Sequence, residues 1–115
     1  QEFLDDYSNS DYRSEAKELI DALRNKLAKK EYATGVLYIK MEEYQSAIMA
    51  FEGLIDSYYD TDILEKGHVG IIRCYSKMNK KKEAEQYFSE NENQIFSTDL
   101  RQDALGYIQE IKNPD

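Results

Sequence analysis

The chain has 115 residues, the length of one ordinary domain, so no second independent core is expected. A formal net charge of −8, from 23 acidic against 15 basic residues, opposes the long-range attraction that a nucleic-acid backbone or an anionic lipid surface requires of a partner. Ten Tyr, four Phe, five Gly and the lone Pro114 suit helices rather than a turn-rich β fold, and the single Cys74 closes no internal disulfide and leaves the redox compartment open.

The longest apolar run, Ala47-Ile48-Met49-Ala50-Phe51, is far short of the about 20 residues that a spanning helix needs. The opening Glu2-Phe3-Leu4-Asp5 reads as the end of a helix, with no initiator Met or leader pattern, so residues 1–9 are expected to close a preceding repeat in an excised fragment. One unusually long helix is then predicted from about Asp11 to Met41. It carries a first basic cluster, Arg24, Lys26, Lys29 and Lys30.

Tyr44, Ala47, Ile48, Phe51, Leu54, Ile55 and Tyr58 recur at three- and four-residue steps, which predicts a helix from about 43 to 57 with that stripe buried. Asp62 with Glu65, and Asp99 with Gln102, have capping-box spacing, so helices are expected to begin near 62 and 99. The helix from 62 to 78 presents Leu64, Gly67, His68, Ile71, Tyr75 and Met78 on one face and stops at Asn79. A second basic cluster, Lys77, Lys80, Lys81 and Lys82, follows at a corner where cations oppose the helix macrodipole, a cost that a partner contact would explain. The helix from 80 to 92 has only Ala84, Tyr87 and Phe88 to bury and should be the weakest packed. The last, 99 to 112 and ended by Pro114, shows Leu100, Ala104, Ile108 and Ile111 along one side, the pattern of a helix closing an array.

Offsetting the sequence by 37 residues superposes Tyr38 on Tyr75, Lys40 on Lys77, Met41 on Met78, Ala47 on Ala84, Phe51 on Phe88, Thr61 on Thr98 and Asp62 on Asp99. These fall where a helical hairpin needs them, with an aromatic late in the first helix, a small Ala at the close crossing and an aromatic wedge one turn on. A longer echo matches residues 6–11 to 57–62 at an offset of 51. The difference of 14 residues is about four helical turns, so the long helix should overhang its neighbours. The expected units are 1–9, 10–59, 60–97 and a capping helix over 98–115.

Gly35, Tyr38, Ala47 and Phe51 resemble the small, aromatic, Ala, aromatic order of the tetratricopeptide repeat. The second hairpin keeps Tyr75, Ala84 and Phe88 but has Ile72 at the small position. The fold class expected is therefore all-α, an α-solenoid fragment of antiparallel hairpins. Three runs, Tyr7-Ser8-Asn9-Ser10-Asp11-Tyr12, the stretch from Arg24 to Tyr32 and the stretch from Phe51 to Thr61, resemble the C-terminal half of the BamD (YfiO/ComL) family. These are tetratricopeptide lipoproteins of the outer-membrane β-barrel assembly machinery. The likeness covers about residues 1–92. It implies a place on the periplasmic side of the outer membrane, with docking of the POTRA region of the barrel insertase and contact with smaller accessory lipoproteins. An Arg that the family carries at the position of Ala50 is missing.

No chemistry competes with that reading. His68 and Cys74, six residues apart, lie on different faces of one helix and read as packing residues. There is no HExxH or paired CxxC for zinc, and Gly67-His68-Val69-Gly70 sits in a helical pattern without the Lys and hydroxyl of a phosphate loop. The many carboxylates occupy solvent-facing positions. No catalytic, cofactor-binding or metal-binding residue is expected. Two alternatives stay open: a generic tetratricopeptide adaptor that grips a peptide or protein in its groove, or an accessory helical domain of a larger enzyme.

Overall fold

The computed structural model describes residues 10–112, the side chains of Ser10 and Asp11 excepted. Within them the chain forms α1 (Ser10–Lys40), α2 (Tyr44–Ser57), α3 (Leu64–Lys77), α4 (Lys81–Asn91), a 3₁₀ turn (Glu92–Gln94) and α5 (Thr98–Gln109). No strand occurs among the described residues. The protein is all-α and tetratricopeptide-like, with one helix of 31 residues, about 46 Å at 1.5 Å per residue.

Both hairpin turns end their first helix in the same way. Glu42 and Asn79, 37 residues apart, take left-handed conformations with φ of 60° and 59°. The next amide then reaches back five residues, Glu43 N to Tyr38 O at 2.8 Å and Lys80 N to Tyr75 O at 2.9 Å, which satisfies carbonyls that a helix end would otherwise orphan. Each second helix then begins on one pattern, Ala47 N to Glu43 O and Ala84 N to Lys80 O, both 3.0 Å.

Phe51 is the centre of the first core. Its ring is fully buried between two glycines on different helices: a Cβ at Gly35 would lie 2.4 Å from the ring, and one at Gly70 would lie 2.8 Å away. Ala28, Ile39, Ala47, Ile48, Leu54, Ile63, Ile71 and Cys74 close around it. In the second hairpin Ile72 fills the space that Gly35 leaves open, so Phe88 stays half-buried at the edge of a second core. That core is built on Val69, Ile72, Ala84, Ile95, Ala104, Ile108 and Ile111. Of α4, Ala84 alone is fully buried, whereas α5 buries Ala104 and Ile108. The helices α3 and α5 therefore form the tighter pair.

The first deeply buried residue of α1 is Ala28. Ahead of it Leu19, Ile20 and Leu23 are 72%, 58% and 56% exposed, so the N-terminal half of the helix overhangs the core.

The two capping boxes do not form. Helix α3 starts at Leu64 behind Ile63, and α5 starts at Thr98 behind Ser97; neither has a side-chain cap bond. Glu65 instead accepts from Phe96 N and Ser97 N, both at 2.7 Å, while Asp62 N donates to Asn25 Oδ1 at 3.2 Å. In the first box the Glu65 acceptor has been taken by backbone amides brought in by the tertiary fold, and the Asp62 amide has found a distant acceptor instead. Helix α5 ends at Gln109, ahead of the expected 112, and both the expected stop at Pro114 and the corner at residues 6–9 lie outside the described residues.

Candidate partner-docking surfaces

The first basic cluster divides into a clamp and an open row. The Arg24 guanidinium grips Asp60, with Nη2 2.7 Å and Nε 3.1 Å from Oδ1. Nη2 also donates to Ser57 O at 2.6 Å, and the group lies 5.3 Å from the Tyr58 ring centre. This fork-shaped pairing ties the overhanging part of α1 to the α2–α3 corner. The hydrogen bond from Arg24 holds the Asp60 carboxyl below its ordinary range, and the same bond holds Arg24 above its own. Lys26, Lys29 and Lys30 all face solvent within the next two turns.

At the second cluster Lys77 is exposed, Lys80 lies 3.7 Å from Glu83, and Lys81 is half-buried at the start of α4. The structure brings these lysines to the tip of the second hairpin, apart from the row on α1. The repeat-signature residues lie inward: Gly35, Ala47, Phe51 and Ala84 are buried, and Tyr38, Tyr75 and Phe88 are half-buried.

His68 is 5% exposed, and its Nδ1 shares a 2.7 Å hydrogen bond with the Tyr87 hydroxyl. Burial pushes the imidazole pKa below its ordinary value and the Tyr87 pKa above its own, so both groups are neutral near pH 7. Cys74 is fully buried, and the same desolvation pushes its thiol up to about 12, which leaves no thiolate for nucleophilic work. Neither residue meets the other in a catalytic arrangement; His68 joins α3 to α4 and Cys74 packs beneath α2.

A further surface was not singled out in the sequence. Between α1, α3 and α5 a cleft is lined by Tyr32, Val36, Lys66, Arg73, Asp103 and Tyr107, with Val69 and Gly70 at its floor. The Lys66 ammonium sits 5.9 Å from the Tyr32 ring centre and the Arg73 guanidinium 5.9 Å from that of Tyr107. The available signal was the seven-residue spacing of the two cations on a helix otherwise read for its apolar face. The tyrosines opposite them come from 34 positions before Lys66 and 34 after Arg73, which no local pattern connects.

Among the described residues no group of three or more His, Cys, Asp or Glu is placed to hold a metal ion, and no helix is long and apolar enough to cross a membrane. Stacked helical hairpins whose chemistry lies in outward-facing charges and clefts define a class, the helical-repeat proteins built around surfaces. Within it, the model of the YfiO family, described as outer membrane lipoprotein, matches residues 1–90, and the chain belongs to that family. Membership makes this an outer-membrane assembly lipoprotein by family, at the periplasmic side of that membrane, with protein partners in barrel assembly. Neither the curated proteins nor the solved structures gave a match.

Proposed function

We propose that this chain is a non-catalytic docking module that holds the POTRA region of the barrel insertase, with accessory lipoproteins as further partners. The single observation that carries this reading is the family match over residues 1–90. The solvent-facing side of α1 supports it, because it presents Lys26, Lys29 and Lys30 where a partner can reach them. The division into units 10–59 and 60–97 with a closing helix over 98–115 belongs to the same proposal.

With no Arg at position 50, the lysine row on α1 and Lys77, Lys80 and Lys81 at the hairpin tip are the cations that would meet an acidic patch on the partner. Exposed ion pairs contribute about 0.2–1 kcal/mol each and weaken with salt. Lys26→Gln, Lys29→Gln and Lys30→Gln together should therefore weaken binding to the insertase's periplasmic domains about five- to tenfold, read by isothermal titration calorimetry, with the thermal midpoint unchanged. Absence of binding by the native chain at tens of micromolar would remove the reading.

A further inference from the structure

We propose that the cleft between α1, α3 and α5 binds carboxylate side chains of an acidic segment on a protein partner, with Lys66 and Arg73 as its two cations. The inference rests on the reading that this chain docks proteins, and it adds the chemistry of one binding site.

Lys66 and Arg73 are seven residues apart on α3, two turns or about 10 Å along the same face. Neither takes part in an ion pair among the described residues, although acidic residues outnumber basic ones by 23 to 15. Each lies instead near a tyrosine ring, Tyr32 or Tyr107, and the cation–π contact helps hold the head group in place without neutralising it. The floor is apolar, since Val69 and Gly70 are buried, and the cavity above it measures about 50 Å³, room for a carboxylate group. A carboxylate entering here would meet positioned cations and could form charge-assisted hydrogen bonds, which are stronger than neutral ones.

Asp103 lines the same cleft without reaching ion-pair distance of Arg73 or Lys66. It is the built-in competitor, and its charge should hold the affinity down. The occupant is a protein segment rather than a nucleic acid or a lipid surface because the whole chain carries −8, a field that repels dense polyanions far more than a segment with two carboxylates.

The test is a titration of the ¹⁵N-labelled chain with acetyl-Gly-Glu-Gly-Glu-Gly-amide, following the amides of Val69, Gly70, Arg73 and Tyr107 by NMR. Saturable shifts at these positions are expected, with affinity falling at least fivefold in Arg73→Gln or Lys66→Gln and rising two- to fivefold in Asp103→Asn. Equal shifts from the Gln counterpart of the peptide, or an affinity indifferent to all three substitutions, would overturn the proposal. So would equal binding of inorganic phosphate, or of a Gln peptide with a free C-terminal carboxylate, since either would move the ligand to another source. Insertase binding measured on the same variants separates the two readings. If the peptide fails while the insertase binds, only the cleft assignment falls; if the insertase fails while the peptide binds, only the assigned partner falls.

Discussion

Phe51 shows how much a single ring asks of its neighbours. Its burial depends on the missing side chains at Gly35 and Gly70, and an Ala at Gly35 would drive a methyl to 2.4 Å from the ring. Overpacking of this kind costs about 1–3 kcal/mol, more than the roughly 1 kcal/mol that Ala gains over Gly inside a helix. Gly35→Ala should therefore lower stability in urea denaturation. Gly53→Ala, on the open side of α2 with nothing within 4 Å, should raise it by about 0.8–1 kcal/mol. Glu42 is the other residue at odds with its conformation. With φ at 60° it occupies a region that glycine enters freely, so Glu42→Gly should stabilise the chain by about 0.5–1 kcal/mol, whereas Asn79 already suits the equivalent turn. Gly35 could be found from its place in the repeat. Gly70 could not, because the ring it accommodates comes from α2, nineteen positions earlier.

At the scale of the element, α4 is the most dependent on its attachments. It buries Ala84 alone among its residues and is joined to α3 through the Tyr87–His68 hydrogen bond. Because burial lowers the His68 pKa in the folded state, the unfolded chain binds its proton first as pH falls. Above about 6.5, the ordinary histidine value, both states are neutral and this group has no effect on stability. Below it the folded state loses stability progressively, until the pH has passed the lowered folded value. Thermal melts of the native chain and of His68→Gln between pH 7.5 and 5.5 should differ in slope, with the variant flatter. Glu65 carries the related lesson. Its spacing from Asp62 is that of a local cap, but its carboxylate instead receives the amides of Phe96 and Ser97 and pins the entry of α5 to the start of α3. Removing it by Glu65→Ala leaves two backbone donors without that acceptor and should cost about 1–3 kcal/mol, measurable by chemical denaturation.

Across the whole molecule, the arrangement separates rigid from reachable parts. Two cores share α3, and the long α1 extends past them with Leu19, Ile20 and Leu23 in solvent, while the lysine row lies on its exposed side around Ala28. Arg24 steadies the base of that extension through Asp60 and Ser57 O. Acidification past the lowered Asp60 value should break this clamp while the cores persist, and hydrogen exchange should then quicken in the N-terminal half of α1 before it does in α3.

Much of this was contained in the sequence because it is written in periodicity: the helices, the 37-residue repeat, the long first helix and the inward set Ala47, Phe51 and Ala84 all follow from spacing. The corner lysines and the row on α1 could be located as charges, though not sorted into the exposed row of Lys26, Lys29 and Lys30 and those already paired, Arg24 with Asp60 and Lys80 with Glu83. The tertiary structure decided that sorting. It also decided where the Glu65 carboxylate went, why Phe88 stays shallower than Phe51, and that Lys66 and Arg73 face tyrosines across a cleft. Each of these depends on which distant backbone or ring arrives beside a side chain, and spacing along the chain carries no record of that arrival.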